Sequence, residues 1–359
     1  MTATISNLPR DLIEEIISRV PLKSMKAVRL TCKTWNNLSK SESFAKMHIG
    51  KVKTPTRKGE TMMIAMMPHN LYLMSAVVDD VDPSIHIKGQ LSFLYNQVSI
   101  SRIFHYEGLL LCILKDATRI VVWNPYWGQT RWIELRYSHR LDGYDSFNYA
   151  LGYEDKESCR SVKLLRFVHY FKSPETKFFW YEIYDFDSGL WTTLDVTPHW
   201  IIYCSCDSVS LKGNSYWHAS SGGQNDHIIC FDFTRERFGP LLPLPFSLRD
   251  RGYVYVTLSC VKEEKLAALF QQHNDSELEI WITTKIEAEM AAYIRKLDLG
   301  VPRNHRRWPR VCSYVPSLVQ IKKLERGKRI KQSSLEERRF DQKRLRLAAI
   351  EKLILKQYL

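Results

Sequence analysis

Three stretches of this chain repeat one plan. VVWNPYWGQTRWIEL (121–135), EIYDFDSGLWTTL (182–194) and ICFDFTRERFGPLLPLP (229–245) each run from an apolar strand into an Asn or Asp turn, then to an aromatic residue and a return strand. The runs GLLLCIL (108–114), FFWYEIYDF (178–186), LAALFQQ (266–272) and LEIWITT (278–284) are likewise rich in β-branched and aromatic residues, as strands are. Anchored on Trp123, Tyr184, Phe231 and Trp281, the plan steps by 61, 47 and 50 residues. A recurring unit of this length, made of a few antiparallel strands, predicts the blades of a β-propeller. A jelly roll or sandwich would supply similar strands but would not need the recurrence.

The N-terminus follows another period. In NLPRDLIEEIISRVPLKSMKAVRLTCKTWNNL (7–38), Leu8, Leu12, Ile16 and Val20 recur every four residues with Ile13 and Ile17 beside them, which predicts a helix with an apolar stripe. Asn7 is placed to cap it, Pro9 to start it, Asp11 and Glu14 to favour its positive end, and Pro21 to stop it. Two further short helices are expected around Leu22, Met25 and Val28, and around Cys32, Trp35 and Leu38. About 40 residues rarely bury enough surface to offset chain entropy. Such a three-helix bundle is expected to leave apolar side chains for a partner, and another helical surface is the natural complement.

Charge is concentrated at the other end. Of the formal +13, residues 303–359 carry +12, from 17 Lys+Arg against 5 Asp+Glu. Ser334 and Glu337 fit a capping box at the head of a helix in which Phe340, Leu347, Ile350 and Ile354 form an apolar stripe. Three readings of this basic helical tail stand side by side: packing of the stripe on the preceding domain, a nuclear-import signal around Lys322, Lys323 and Lys328–Lys331, or attraction to a polyanion. Aromatic residues interleaved for base stacking are lacking, so nucleic acid is not the expected partner.

Reaction machinery is not legible. The sequence has no Gly-rich loop ending in Gly-Lys-Ser/Thr, no His-Glu-x-x-His and no Gly-x-Ser-x-Gly. SSGGQND (220–226) lacks the lysine of a phosphate cradle, and Asp185, Asp187 and Asp232 fall at repeat positions where an Asx side chain reverses a strand. The eight cysteines (Cys32, Cys112, Cys159, Cys204, Cys206, Cys230, Cys260, Cys312) are scattered through apolar runs and read as reduced, buried small side chains. Cys204 and Cys206 have no matching pair at metal-finger spacing. Neither a metal nor another cofactor is expected. No positively charged segment leads into an apolar run at the N-terminus, and MMIAMMPHNLYLM (62–74) is too broken to span a bilayer, so neither secretion nor a membrane is expected.

Residues 8–38 resemble an F-box, in the opening Leu-Pro, the Val-Pro break and the Val-Arg, Cys-Lys and Trp-Asn pairs. F-boxes dock on the Skp-family adaptor of cullin–RING ubiquitin ligases. The resemblance implies Leu8, Pro9, Leu12, Ile16, Val20, Pro21, Val28, Cys32 and Trp35 as the adaptor face or its immediate support, with Trp35 equally placed for bundle core. HYEGLLLCILKDATRIVVWNPYWGQTRWIEL, YALGYE, EIYDFDSGLWTTLDVTPHW, VSLKGNSYWHAS, CFDFTRERFGPLLPLPF and EIWITTKIE resemble, in order, the kelch-like F-box-associated domain of a large family of plant F-box proteins. In that family the domain is held to recruit a target protein. One departure stands out: the family normally carries a further Trp-containing strand and an acidic hairpin between EIWITTKIE and the closing CSYVPSLVQI. Here only Ala288–Asn304 and HRRWPRV intervene, so about one blade is expected to be missing.

The expected architecture is multidomain α+β: a three-helix F-box (1–47), a linking segment packing on the β domain (48–89), an all-β propeller-like domain (90–319) and a basic helical tail (320–359). The expected function is a non-catalytic adaptor in the nucleus and/or cytoplasm, joining a target protein to a Skp-type adaptor and its cullin–RING ligase. The alternative is a non-ubiquitin binding protein that uses the tail for nucleic acid or chromatin, with a vestigial F-box. Trp127, His139, Tyr144, Phe147 and Trp200 are aromatic residues near turns, each better suited to core packing than to target contact.

Overall fold

The structure is a computed structural model and describes residues 8–21, 24–53, 60–67, 70–77, 84–90, 99–138, 140–141, 144–156, 159–170, 177–202, 208–221, 224–244, 254–261, 264–272, 277–283, 293–298, 310–321 and 331–357. It divides into two compact units, Met1–Glu134 with Arg307–Ile321, and Leu135–Arg306 with Lys322–Leu359.

The first unit opens with helices α1 (Arg10–Ser18), α2 (Met25–Thr31), α3 (Lys33–Lys40) and α4 (Glu42–Lys53). Pro9 precedes α1, and its carbonyl accepts from the N–H groups of Leu12 and Ile13. The expected cap, Asn7, lies outside the described residues. Cys32 is extended between α2 and α3, and its Sγ accepts from the Trp35 N–H at 3.5 Å. Helix α4, which the three-helix reading did not include, buries Phe44, Ala45 and Ile49.

Strands β1 (Glu60–Met67), β2 (Asn70–Val77) and β3 (Ser84–Gln90) follow as an antiparallel meander. The segment read as a linker thus forms most of a sheet, and the β region begins at Glu60 rather than at residue 90. The fourth strand of that sheet comes from the far end of the chain: β23 (Arg310–Ser313) pairs with β1 on the edge away from β3, placing Met63 opposite Ser313. A second sheet holds β4 (Ile100–Tyr106), β5 (Leu109–Leu114), β6 (Arg119–Asn124) and β7 (Gln129–Glu134) in sequence order. Strand β5 is buried along its whole length, as the inner strand of a layered fold must be. One apolar cluster joins Ile64, Leu71 and Leu73 of the first sheet to Leu110, Val121 and Trp123 of the second, and takes in Ala45 and Ile49 of α4.

The second unit has three sheets: β10 (Asn148–Lys156), β11 (Cys159–Tyr170), β12 (Phe178–Asp185) and β13 (Trp191–Leu194); then β14 (Val209–Leu211), β15 (Asn214–Ser221), β16 (Gln224–Asp232), β17 (Arg237–Phe238) and β18 (Leu242–Pro243); then β19 (Val254–Val261), β20 (Lys265–Gln272), β21 (Glu277–Ile282) and β22 (Tyr293–Asp298). A small pair, β8 (Arg140–Leu141) and β9 (Tyr144–Asp145), precedes them. Leu211, Tyr216 and Ile228 of one sheet pack on Leu266, Ala268 and Phe270 of the next. The described residues therefore hold five propeller-like sheets, in keeping with a shortened array.

The repeat read from the sequence maps onto equivalent places. Trp123, Tyr184, Phe231 and Trp281 all lie on the third strand of their sheets. In the turns that follow, Oδ1 of Asn124 accepts from the N–H groups of Tyr126 and Trp127, that of Asp185 from Ser188, and that of Asp232 from Thr234 and Arg235. These are Asx turns, and the carboxylates are engaged in holding them.

Helix α5 (Ser334–Gln357) lies against the sheet β10–β13 of its own unit. Its cap is Ser333, whose Oγ accepts from the Glu336 N–H at 3.2 Å, one residue earlier than the sequence suggested. Leu347 and Ile350 are buried, as the stripe predicted, whereas Ile354 has no described side chain.

Candidate functional site

Helix α1 is apolar on two adjoining faces, and the bundle uses one of them. Ile13 and Ile17 are 4% and 0% exposed, packed with Met25, Val28, Leu38 and Phe44. Leu12 and Ile16, one turn apart, are 52% and 45% exposed. Spaced four residues apart on one helix, the two present neighbouring aliphatic groups to solvent. Of the other implied adaptor residues, Pro9 and Pro21 are exposed, and Leu8, Val20 and Trp35 are half-buried against the bundle core. Val28 is buried in that core, and Cys32 is half-buried and occupied as the cap of α3. Sequence reasoning missed Leu30, which stands 78% exposed on α2. Its neighbours in a seven-residue helix gave no periodicity by which to place it. Two i,i+4 ion pairs, Arg10–Glu14 and Arg19–Glu15, flank the exposed face and are themselves open to water, so they add little stability.

The bundle is also held to the second sheet. Arg29, 9% exposed, donates from Nη1 to the Tyr126 carbonyl at 2.5 Å, and its guanidinium carbon lies 5.3 Å from the Tyr126 ring centre and 4.9 Å from that of Trp127. Burial pulls the Arg29 pKa below its usual value, partly opposed by Tyr126, and burial pushes the Tyr126 hydroxyl up to about 12 against the pull of the cation. His48 reaches the Val20 carbonyl through Nε2 at 2.9 Å, with its ring centre 5.7 Å from that of Tyr126. The platform is fixed in turn by Asn124, whose Nδ2 donates to the carbonyls of Ser317 and Val319, while Trp127 Nε1 donates to Leu318.

In the second unit, a chain of charges anchors α5. Glu182 accepts from Arg166 at 2.8 Å and from Arg136 at 2.9 Å; Arg136 also meets Glu336 of α5 at 3.2 Å. Glu336 Oε1 accepts from Thr193 N at 2.8 Å and from Thr193 Oγ1 at 2.6 Å. Phe340 packs on Trp180 with ring centres 5.5 Å apart, and Lys343 donates to the Phe179 carbonyl. The inward face of α5 is thereby engaged, while Arg338, Arg339 and Arg346 remain exposed.

Of the aromatic residues weighed for target contact, Trp127, Phe147 and Trp200 are buried. His139 and the side chain of Tyr144 lie outside the described residues. A cleft of about 360 Å³ is lined by residues 194–200 and 236–239, among them Trp200, Phe238, Asp195, Glu236 and Arg237. The described thiols of Cys32, Cys112, Cys230 and Cys260 are in no disulfide; burial pushes that of Cys230 up to about 12, far from a nucleophilic thiolate. Cys204 and Cys206 lie outside the described residues, as do the side chains of Cys159 and Cys312. Among the described residues no group of three or more His, Cys, Asp or Glu could hold a metal ion, and no described helix is long and apolar enough to cross a membrane.

Comparison with known proteins assigns both parts. Residues 5–47 match the F-box domain, and residues 62–295 match the F-box associated beta propeller domain. A putative F-box protein of Arabidopsis thaliana is 59% identical over 99% of this chain and 100% of its own length. An F-box/kelch-repeat protein of the same plant is 55% identical over 94% of each chain. A third Arabidopsis relative, named Peroxiredoxin-2A, is 48% identical over 92% of this chain and 71% of its own. The first alignment extends over 411 positions against the 359 residues of this chain, so it carries gaps of at least 52 positions in all (411 − 359). Two domain matches covering residues 5–47 and 62–295, and relatives alike from end to end, make this chain a member of the F-box proteins that carry an F-box-associated β-propeller domain.

Proposed function

We propose that this protein is the target-recognition subunit of a Skp–cullin–F-box ubiquitin ligase. Leu12 and Ile16, with Leu8, Pro9, Val20 and Pro21 around them, dock on the Skp-type adaptor, and Val28, Cys32 and Trp35 support that face. The observation that carries the reading is the split of α1 into an inward pair, Ile13 and Ile17, and an outward pair, Leu12 and Ile16. Covering each outward side chain would contribute on the order of 1.5–3 kcal/mol before association costs are subtracted. The β sheets hold an unidentified target protein. The chain itself performs no chemistry; it raises the target's concentration beside the ubiquitin carrier. Its place of action is the nucleus, the cytoplasm or both.

The test is a binding titration of the full chain and its Leu12→Asp/Ile16→Asp variant against a recombinant Skp-type adaptor. Loss of at least about 100-fold in affinity with unchanged helical content is expected. Equal affinity of variant and wild type would refute the docking face, and absence of binding by wild type would refute the ligase reading. The alternative, polyanion binding with a vestigial F-box, draws on the exposed cations of α5. It requires binding to a nucleic-acid duplex that weakens steeply with salt and disappears on deletion of 320–359.

A further inference from the structure

The covalent link between the F-box helices and the first sheet, TPTRKG at 54–59, is a short polar segment containing Pro and Gly, a composition that does not by itself set an angle between two bodies. Ala45 and Ile49 of α4 hold the bundle against the first and second sheets through non-directional apolar packing, to which a directional contact is added. We propose that Arg29 is a positioning residue that locks the orientation of the F-box on the second sheet, by seating its guanidinium on the Tyr126–Trp127 turn.

The contact is directional. One hydrogen bond to the Tyr126 carbonyl fixes a point, and two aromatic rings at 5.3 and 4.9 Å fix the plane of approach. The receiving turn is rigid, because Asn124 (0% exposed) holds its two N–H groups from one side and the carbonyls of Ser317 and Val319 from the other. The contact is also a poor choice for stability alone. Nε and Nη2 of Arg29 are buried with no hydrogen-bond partner, as is the Tyr126 hydroxyl. An apolar side chain of similar length would fill the same space without that desolvation cost, but it would accept many angles. A buried cation kept at this position trades stability for a single geometry. Its functional consequence rests on the ligase reading: the adaptor face is then presented at one fixed angle to the second sheet.

The experiment measures the angle directly. Nitroxide labels attached through non-cysteine chemistry at the exposed Asn37 and Thr118 of the full chain report the F-box-to-sheet distance by double electron–electron resonance. Wild type should give one narrow distribution. Arg29→Met, which keeps the stem but neither the hydrogen bond nor the charge, should raise the fraction outside that distance about tenfold while the chain stays folded. Arg29→Lys, which keeps the cation, should restore most of the narrow peak. A narrow distribution in Arg29→Met would overturn the proposal. So would loss of folding in that variant, because Arg29 would then be a stability element rather than a lock. Adaptor affinity is measured on the same samples: if wild type fails to bind, the ligase reading falls while the distance result stands.

Discussion

Replacing Glu336 by alanine should detach α5 without unfolding the sheets beneath it. The carboxylate is 5% exposed, and its Oε1 serves the Thr193 N–H, the Thr193 hydroxyl and the Arg136 guanidinium. Thr193 is 3% exposed, so its N–H would be left without an acceptor in a place water hardly reaches, a cost of about 1–3 kcal/mol. Arg136 would lose one partner but keep Glu182 at 2.9 Å, so that loss is smaller, about 1 kcal/mol. Together about 3 kcal/mol is removed from the free energy of opening α5, which accelerates hydrogen exchange of its amides about 100-fold. Glu336→Gln keeps an oxygen for Thr193 and gives up only the charge, so about tenfold is expected. The assay is hydrogen–deuterium exchange followed by peptide mass, with β11 and β12 amides as the internal reference. Exchange in α5 unchanged within about threefold in Glu336→Ala would refute the account of how the tail is held. A cycle with Arg136→Met then isolates the ion-pair share.

Two further outcomes follow from local geometry and burial. Gly108 sits at φ +82° in the β4–β5 turn, and a Cβ there would lie 2.4 Å from the Val315 carbonyl oxygen. Gly108→Ala should therefore cost roughly 3 kcal/mol or more in urea unfolding, while Gly50→Ala, with open space around it in α4, should be neutral or slightly stabilising. Burial lowers the pKa of His105 to about 4 and of His169 to about 3. Both histidines bind a proton more readily unfolded than folded, so stability is complete above the unfolded value of about 6.5 and falls by about 1.4 kcal/mol per pH unit for each as pH drops toward 4. Urea midpoints that stay level from about pH 7 to about pH 5 would contradict this.

The parts of the fold that the sequence announced are those whose signals are local. Trp123, Tyr184 and Phe231 mark third strands because each is followed within a few positions by a turn that an Asx residue closes, and Trp281 holds the equivalent place by spacing. The first sheet escaped for two reasons. Its third strand in the same sense, β2, ends in Ala76 and Val77 with no aromatic anchor, and the strand beside β1 lies at 310–313, where no local pattern points back to residue 63. The docking face was half legible. The sequence marked α1 as apolar on two neighbouring faces but not which of them the bundle would take, because that choice belongs to Met25, Leu38 and Phe44, residues of three other helices. Arg29 was hidden more completely. Its partners, Tyr126 and Trp127, lie nearly a hundred positions away in a turn that the repeat explained already.

The pairing of β23 with β1 sets an order of events during synthesis. Met63 faces Ser313 across a separation of 250 residues, so the N-terminal sheet stays short of one strand while the rest of the polypeptide is made. At ribosomal speeds of about 5–20 residues per second, strand β1 waits on the order of 10–50 s for its neighbour. The F-box helices, complete by residue 53, leave the ribosome long before. For that interval the nascent chain carries an exposed apolar helix face and an unpaired strand edge, so it depends on chaperones or an early-arriving partner to reach the end of its own translation unaggregated.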